Sequence, residues 1–321
     1  MHGMKTKTIR SVMRMKLERW AATLDPPLRQ AALRDALVCG GAVSSMLMGE
    51  RVNDYDLYIK NPVTLQMLAN HYASVFNMSN KLKSVNEYDV QVADKEIRNI
   101  QGELERRITF VMRSAGVASE NQDDVYDYFE CSPDAVAEAF VDGLKGNPME
   151  AVEEVTTELA DKKKPPFRPV FFSDNAVTLS DKVQLVVRFH GKMEEIHCNF
   201  DFVHSMCGYD YEIDHLYASH DAMASMLSKD LEYRGSLYPL ASMFRMRKFM
   251  ARGWRITAGQ MLKIAWQLNE LDLSDMDVLN EQLMGVDRAY MKQLIDRINS
   301  KDPKQKVDSA YVALLVDEVF S

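Results

Sequence analysis

One continuous run constrains this chain more than any other part of it: an apolar segment, two glycines, a helix-length stretch, a third glycine and a pair of alternating aspartates. Leu37-Val38-Cys39 leads into Gly40-Gly41, and Ala42 to Met48 reads as a helix stopped by Gly49. Asp54 to Lys60 alternates and reads as a strand. Glycines between a strand and a helix let the backbone turn sharply and approach a ligand with no Cβ in the way. The helix start that follows presents unpaired N–H groups and a positive dipole end, which suit a phosphate. Ser44 and Ser45 add hydroxyl donors nearby.

The aspartates sharpen this reading. Side chains alternate faces along a strand, so Asp54 and Asp56 share a face, roughly 7 Å apart. Tyr55, Leu57 and Ile59 take the opposite face, toward the core. Two neighbouring carboxylates are costly unless a cation or a proton compensates them. Magnesium takes carboxylate oxygens together with substrate phosphates, which matches this pattern. A third acid, Asp201, stands in Ile196–His204, read as a strand in which Asp201 shares a face with His197, Asn199 and Val203 while Phe200 and Phe202 face the core. Alternation sets His197 against Cys198 and His204, which weighs against a zinc site there.

The run GGAVSSMLMGERVNDYDLYI resembles the head-domain signature of class II CCA-adding enzymes and bacterial poly(A) polymerases, of the polymerase-beta type of nucleotidyltransferase. Gly40, Gly41, Ala42, Val43, Leu47, Gly49, Asp54, Asp56 and Leu57 carry the match. A second run, Phe244 to Ile256, holds five basic residues and resembles the segment that follows that head domain, through Arg245, Lys248, Phe249, Gly253, Trp254 and Ile256. Read as a helix, it places Arg245, Lys248 and Arg252 on one face, suited to a triphosphate or an RNA backbone. Ser44-Ser45 stands where the family usually carries Arg-Asp, and its base-reading Glu-Asp-x-x-Arg motif is not visible, so CCA addition itself is not implied. Residues 173–204 are also similar to bacteriophage nucleotidyltransferase-like proteins.

The resemblance implies a metal-dependent enzyme that transfers a nucleoside monophosphate from a nucleoside triphosphate to an RNA 3′ end. Asp54 and Asp56, with Asp201 as the third acid, would bind Mg2+ or Mn2+. Gly40, Gly41, Ser44, Ser45, Arg245, Lys248 and Arg252 would hold the nucleotide. Two further readings stay open: a nucleotidyltransferase acting on a protein or small molecule, and a non-catalytic nucleotide-binding interaction protein.

The rest of the chain supplies the frame. Residues 5–24 read as a basic helix that could form a rim beside the aspartates, Asp25-Pro26-Pro27 breaks it, and a second helix runs to about Asp35. Residues 62–78 read as a helix, 107–117 as a strand, 169–204 as strands, and the chain from about Asp221 onward as helical. From Glu120 to Asp161 acidic residues dominate, with Val136, Phe140, Val152, Val155 and Leu159 at helical intervals. We read an acidic helical insertion, about 119–165, available to a protein partner. The expected fold is α+β: a nucleotidyltransferase-type mixed sheet flanked by helices over residues 1–232, then a C-terminal helical domain over 233–321. A net charge of −8 argues against a wholly basic surface for nucleic acid, without excluding a local basic groove. Cys39, Cys131, Cys198 and Cys207 lack a disulfide spacing and read as reduced thiols of a cytoplasmic protein. No apolar run approaches the roughly 18 residues of a membrane span, and no apolar core follows the basic N-terminal stretch as in a secretory signal. Deleting residues 120–161 is expected to leave nucleotide binding intact, measured by equilibrium dialysis; unfolding on deletion would make the segment part of the core.

Overall fold

The glycine run and the aspartate strand form the centre of an eight-stranded mixed sheet. The computed structural model of the protein describes residues 3–82, 90–98, 104–112, 118–119, 165–273, 275, 278 and 282. Two helices, α1 (Thr6–Ala21) and α2 (Pro26–Asp35), precede strand β1 (Ala36–Cys39), helix α3 (Gly41–Met48), strand β2 (Tyr55–Ile59) and helix α4 (Pro62–Leu82). The long hairpin β3 (Val90–Arg98) and β4 (Leu104–Met112) forms a two-stranded sheet of its own. Strands β5 (Ala118–Ser119), β6 (Pro169–Ser173), β7 (Ala176–Leu179), β8 (Val183–Val186), β9 (Cys207–Asp210) and β10 (His215–Ala218) complete the main sheet, in the order β10-β9-β1-β2-β8-β7-β6-β5. Within this sheet β2 and β8 run parallel and the other neighbouring pairs are antiparallel. The fold is thus α+β, a mixed sheet with flanking helices.

Local chemistry explains the elements. Helix α1 buries Ile9, Val12, Met13, Lys16, Leu17 and Trp20, a stripe at three- and four-residue spacing. Pro26 and Pro27 open α2, where a missing N–H costs nothing. Gly49 closes α3 at φ 71°: its N–H donates to the Met46 carbonyl and that of Glu50 to the Ser45 carbonyl, a Schellman stop. Helix α4 is tied to α1 by the Trp20 indole, which donates to the Tyr72 hydroxyl at 2.8 Å in the core. It is tied to the hairpin by the Asn77 amide, which both donates to and accepts from the main chain of Val90, each at 2.9 Å.

Three expectations change. Residues 196–204 are not a strand: a helix covers Met193–His197, a turn follows, and a single 3-10 turn covers Val203–Ser205. The buried residues Met193, Ile196 and His197 recur at helical spacing, and the Glu195 carboxylate accepts the Lys192 N–H at 2.6 Å, capping the helix start. The C-terminal region is not helical throughout, since Asp230–Leu231 and Arg255–Ile256 are short strands. The basic face of α1 is also partly engaged: Arg10 pairs with Asp214 at 2.5 Å, Arg14 lies 3.5 Å from Glu18, and Lys16 is buried, while Lys5, Lys7 and Arg19 are exposed. The acidic segment 120–161, Cys131 and residues 113–117 of the expected strand lie outside the described residues.

The chain divides into two compact units, Met1–Glu232 and Tyr233–Ser321. In the second, a helix over Pro239–Ala251 ends at Gly253, φ 82°, whose N–H donates to the Met250 carbonyl while Trp254 donates to that of Phe249. The Phe249 and Trp254 rings meet edge to face, the apolar contact that accompanies such a stop. A further helix covers Ala258–Asn269, and its Gln260 and Gln267 side chains accept from the Tyr233 N–H and hydroxyl. Among the described residues no helix is long and apolar enough to cross a membrane. Trp20→Phe would leave the Tyr72 hydroxyl without its buried donor and should cost about 1–3 kcal/mol in urea unfolding; an unchanged midpoint would remove this bond from the core.

Candidate functional site

The site begins with the pairing of β1 and β2, which sets Cys39 opposite Asp56. Gly40, the next residue, leaves the strand at φ 90° and ψ −146°, a region open in practice to glycine alone. Its N–H donates to the Cys207 carbonyl at 2.9 Å, so the turn is anchored on β9. A Cβ at Gly40 would lie 3.5 Å from Asp56 Oδ2 and 3.7 Å from the Phe200 ring: the carboxylate and the ring close over this backbone. A Cβ at Gly41, the first residue of α3, would meet nothing within 4 Å. The first residue of α3 therefore has open space where its side chain would begin, and its N-cap residue, Gly40, has no side chain with which to cap the helix start.

Asp54 immediately precedes β2 and Asp56 lies within it; both are half-buried. Buried Leu57 and Ile59 alternate with them. Their own face of the sheet carries a cluster of Leu37, Cys39, Tyr58, Met193 and Ile196, with Phe200 packed against it. Burial, with the charges of Asp56 and Asp210 nearby, holds the Cys39 thiol well above its ordinary pKa, so it stays protonated and takes no part as a thiolate. Asp201 is buried, at 6% exposure, and directly follows Phe200. Its segment thus approaches Gly40 and Asp56 along a turn rather than a strand. Ser44 and Ser45 are buried, and the Ser44 hydroxyl donates to the Gly41 carbonyl at 3.1 Å, bracing the turn of helix that starts there.

Among the described residues no group of three or more His, Cys, Asp or Glu side chains is gathered to hold a metal. His197, Cys198, His204 and Cys207 accordingly form no zinc centre. The Asp54 and Asp56 carboxylates fit a different donor set. Two acids beside a helix start that opens on glycines suit a magnesium whose remaining positions are filled by phosphate oxygens and water.

Sequence reasoning missed the other side of β2. The Tyr55 N–H donates to the Lys182 carbonyl at 2.8 Å, and the Tyr55 ring lies 5.0 Å from the Lys16 ammonium. The signal was present: Lys16 is the charged member of an otherwise apolar buried stripe. Of the expected nucleotide-holding cations, Arg245 and Lys248 lie on the Pro239–Ala251 helix of the second unit. Arg252 is the residue after that helix, not a member of its face.

Gly40→Ala is expected to destabilise the protein by about 1–3 kcal/mol through backbone strain rather than collision. Gly41→Ala should stabilise it by about 0.5–1 kcal/mol, since the added methyl enters open space on a helix. Urea unfolding of the two variants checks the opposite signs.

The Gabija anti-defense 2 family protein profile (Gad2) matches residues 11–229, which covers nearly all of the first unit. No curated protein and no solved structure matches the chain.

Proposed function

The chain belongs to the Gabija anti-defense 2 family, and from that premise we propose that it serves anti-defense as a metal-dependent nucleotidyltransferase with a nucleotidyltransferase-type fold. The observation that carries this reading is the juxtaposition at Gly40: a glycine-only turn, a helix start with open space where the Gly41 side chain would begin, and the Asp56 carboxylate 3.5 Å from where a Gly40 side chain would begin.

The residues divide the work as follows. The α3 N–H groups and the bare surface of Gly40 and Gly41 receive the triphosphate. Asp54 and Asp56 would hold Mg2+ or Mn2+; Asp201 is not gathered with them into a three-acid metal site. Bound there, the cation neutralises phosphate charge and stabilises the attacking and leaving oxygens of an in-line displacement. The acceptor hydroxyl oxygen bonds to the α-phosphorus as the bond to the bridging oxygen breaks, and pyrophosphate leaves with the electron pair. The acceptor's proton passes to a carboxylate, for which Asp201 is the candidate.

The basic residues Arg245, Lys248 and Arg252 support an RNA 3′ end as the acceptor. A protein hydroxyl is the second reading, favoured by two observations: the net charge of −8, and the engagement of Arg10 and Arg14 with Asp214 and Glu18, which subtracts from a basic rim. Incubation with each labelled nucleoside triphosphate, Mg2+ or Mn2+, and either total RNA or protein tests both. Asp56→Ala is expected to reduce labelling by at least about 100-fold while the circular dichroism spectrum stays unchanged. Label on RNA selects the first acceptor and label on protein the second; full labelling by the folded variant would remove the site.

A further inference from the structure

Lys16 is a lysine in a place where a methionine would pack. It sits on the buried stripe of α1 at 9% exposure. Its ammonium donates to the Asp181 carbonyl at 2.5 Å and lies between two rings, 5.0 Å from Tyr55 and 5.5 Å from Phe167. Burial lowers its pKa to about 8, against the favourable charge of Asp181 and helped by the like charges of Arg19 and Lys182. The unfolded chain holds this proton to a higher pH than the folded one does. The charged side chain therefore costs stability at neutral pH, and stability rises as pH climbs from about 8 toward the ordinary lysine value. Packing alone does not account for such a residue.

The turn that receives it is also strained. Asp181 and Lys182, between β7 and β8, both adopt positive φ, 64° and 58°, and Phe167 does so at 51°. Non-glycine residues hold such angles only where the surroundings dictate them. Here the Asp181 carboxylate accepts from the Ser180 hydroxyl and the Phe167 N–H, both at 3.0 Å. The Lys182 carbonyl accepts from the Tyr55 N–H, at the point where β2 joins β8. Tyr55 is thus held twice from one turn: by its main chain directly, and by its ring through the Lys16 ammonium. Tyr55 stands between Asp54 and Asp56, and its side chain points to the opposite face.

We propose that Lys16 is a positioning residue for the candidate metal site: by bridging the 180–182 turn and the Tyr55 ring, it fixes the rotation of β2 and so the direction in which Asp54 and Asp56 present their carboxylates. The proposal rests on reading that pair as a divalent-cation site, so its test separates the two. Mn2+ binding to the full chain is measured by loss of the free-ion electron paramagnetic resonance signal, with no nucleotide or turnover involved. Wild type binds and Asp56→Ala does not if the site reading holds; equal binding by the two overturns both readings. Lys16→Met should then fold, with a melting temperature at pH 7 at or above that of wild type, yet bind Mn2+ at least about tenfold more weakly, the range for partners that orient metal ligands. Wild-type affinity in folded Lys16→Met overturns the proposal. If that variant does not fold, Tyr55→Leu decides: it keeps both strand pairings and removes only the ring, and its affinity should fall in the same direction, whereas unchanged affinity again overturns the proposal.

Discussion

The register between β1 and β2 governs everything built around the aspartates. Cys39 faces Asp56 across that pairing, so Gly40 leaves the sheet directly over a carboxylate. A slip of one residue would move Asp56 to the opposite face and set Tyr55 or Leu57 under the glycine turn. Buried Leu57 and Ile59 oppose such a slip, because it would carry them out of the core. The hydrophobic effect thus fixes the geometry of polar chemistry on the other side of the same strand.

Each face of β2 is supported by a different part of the chain. On the carboxylate face, Cys39, Tyr58, Met193 and Ile196 form an apolar floor that Phe200 extends to Gly40. On the other, α1 and the 180–182 turn meet Tyr55. Removing water from both sides strengthens the electrostatic influence of a bound charge on its neighbours. Beside that floor, a side chain at Gly41 would begin in open space.

Much of this was legible in the sequence, for physical reasons that differ by residue. Gly40, Gly49 and Gly253 all take positive φ, but they do different things. Gly49 and Gly253 stop helices through Schellman bonds, so their place in the pattern follows from helix geometry alone. Gly40 stops no helix, and its angles make room beside Asp56. The apolar alternation of β2 was equally plain. Asp201 was found by a sound suspicion and a mistaken period: a charged residue between two phenylalanines did mark a buried acid, but Met193, Ile196 and His197 follow a helical spacing that precedes a turn. The short β9–β10 hairpin gave little signal, since Cys207–Asp210 is only four residues long and its loop turns at Asp214, φ 47°, without a glycine. Lys16 stood out as the one charged member of a buried apolar stripe, but its meeting with Asp181, Lys182 and Tyr55 could not be read, because it joins segments distant in the sequence.

That distance has a consequence for how the protein comes into being. The one parallel pairing among the described residues of the main sheet joins Tyr55 to Val183, more than a hundred residues later. Closing so long a loop is slow compared with forming a local hairpin. During synthesis the glycines, the helix they open and both aspartates leave the ribosome long before β8 exists. The strand that carries the carboxylates therefore has an unfilled edge until then. The nascent first unit has the letters of its motif before it has their arrangement, which is complete only when the 180–182 turn docks.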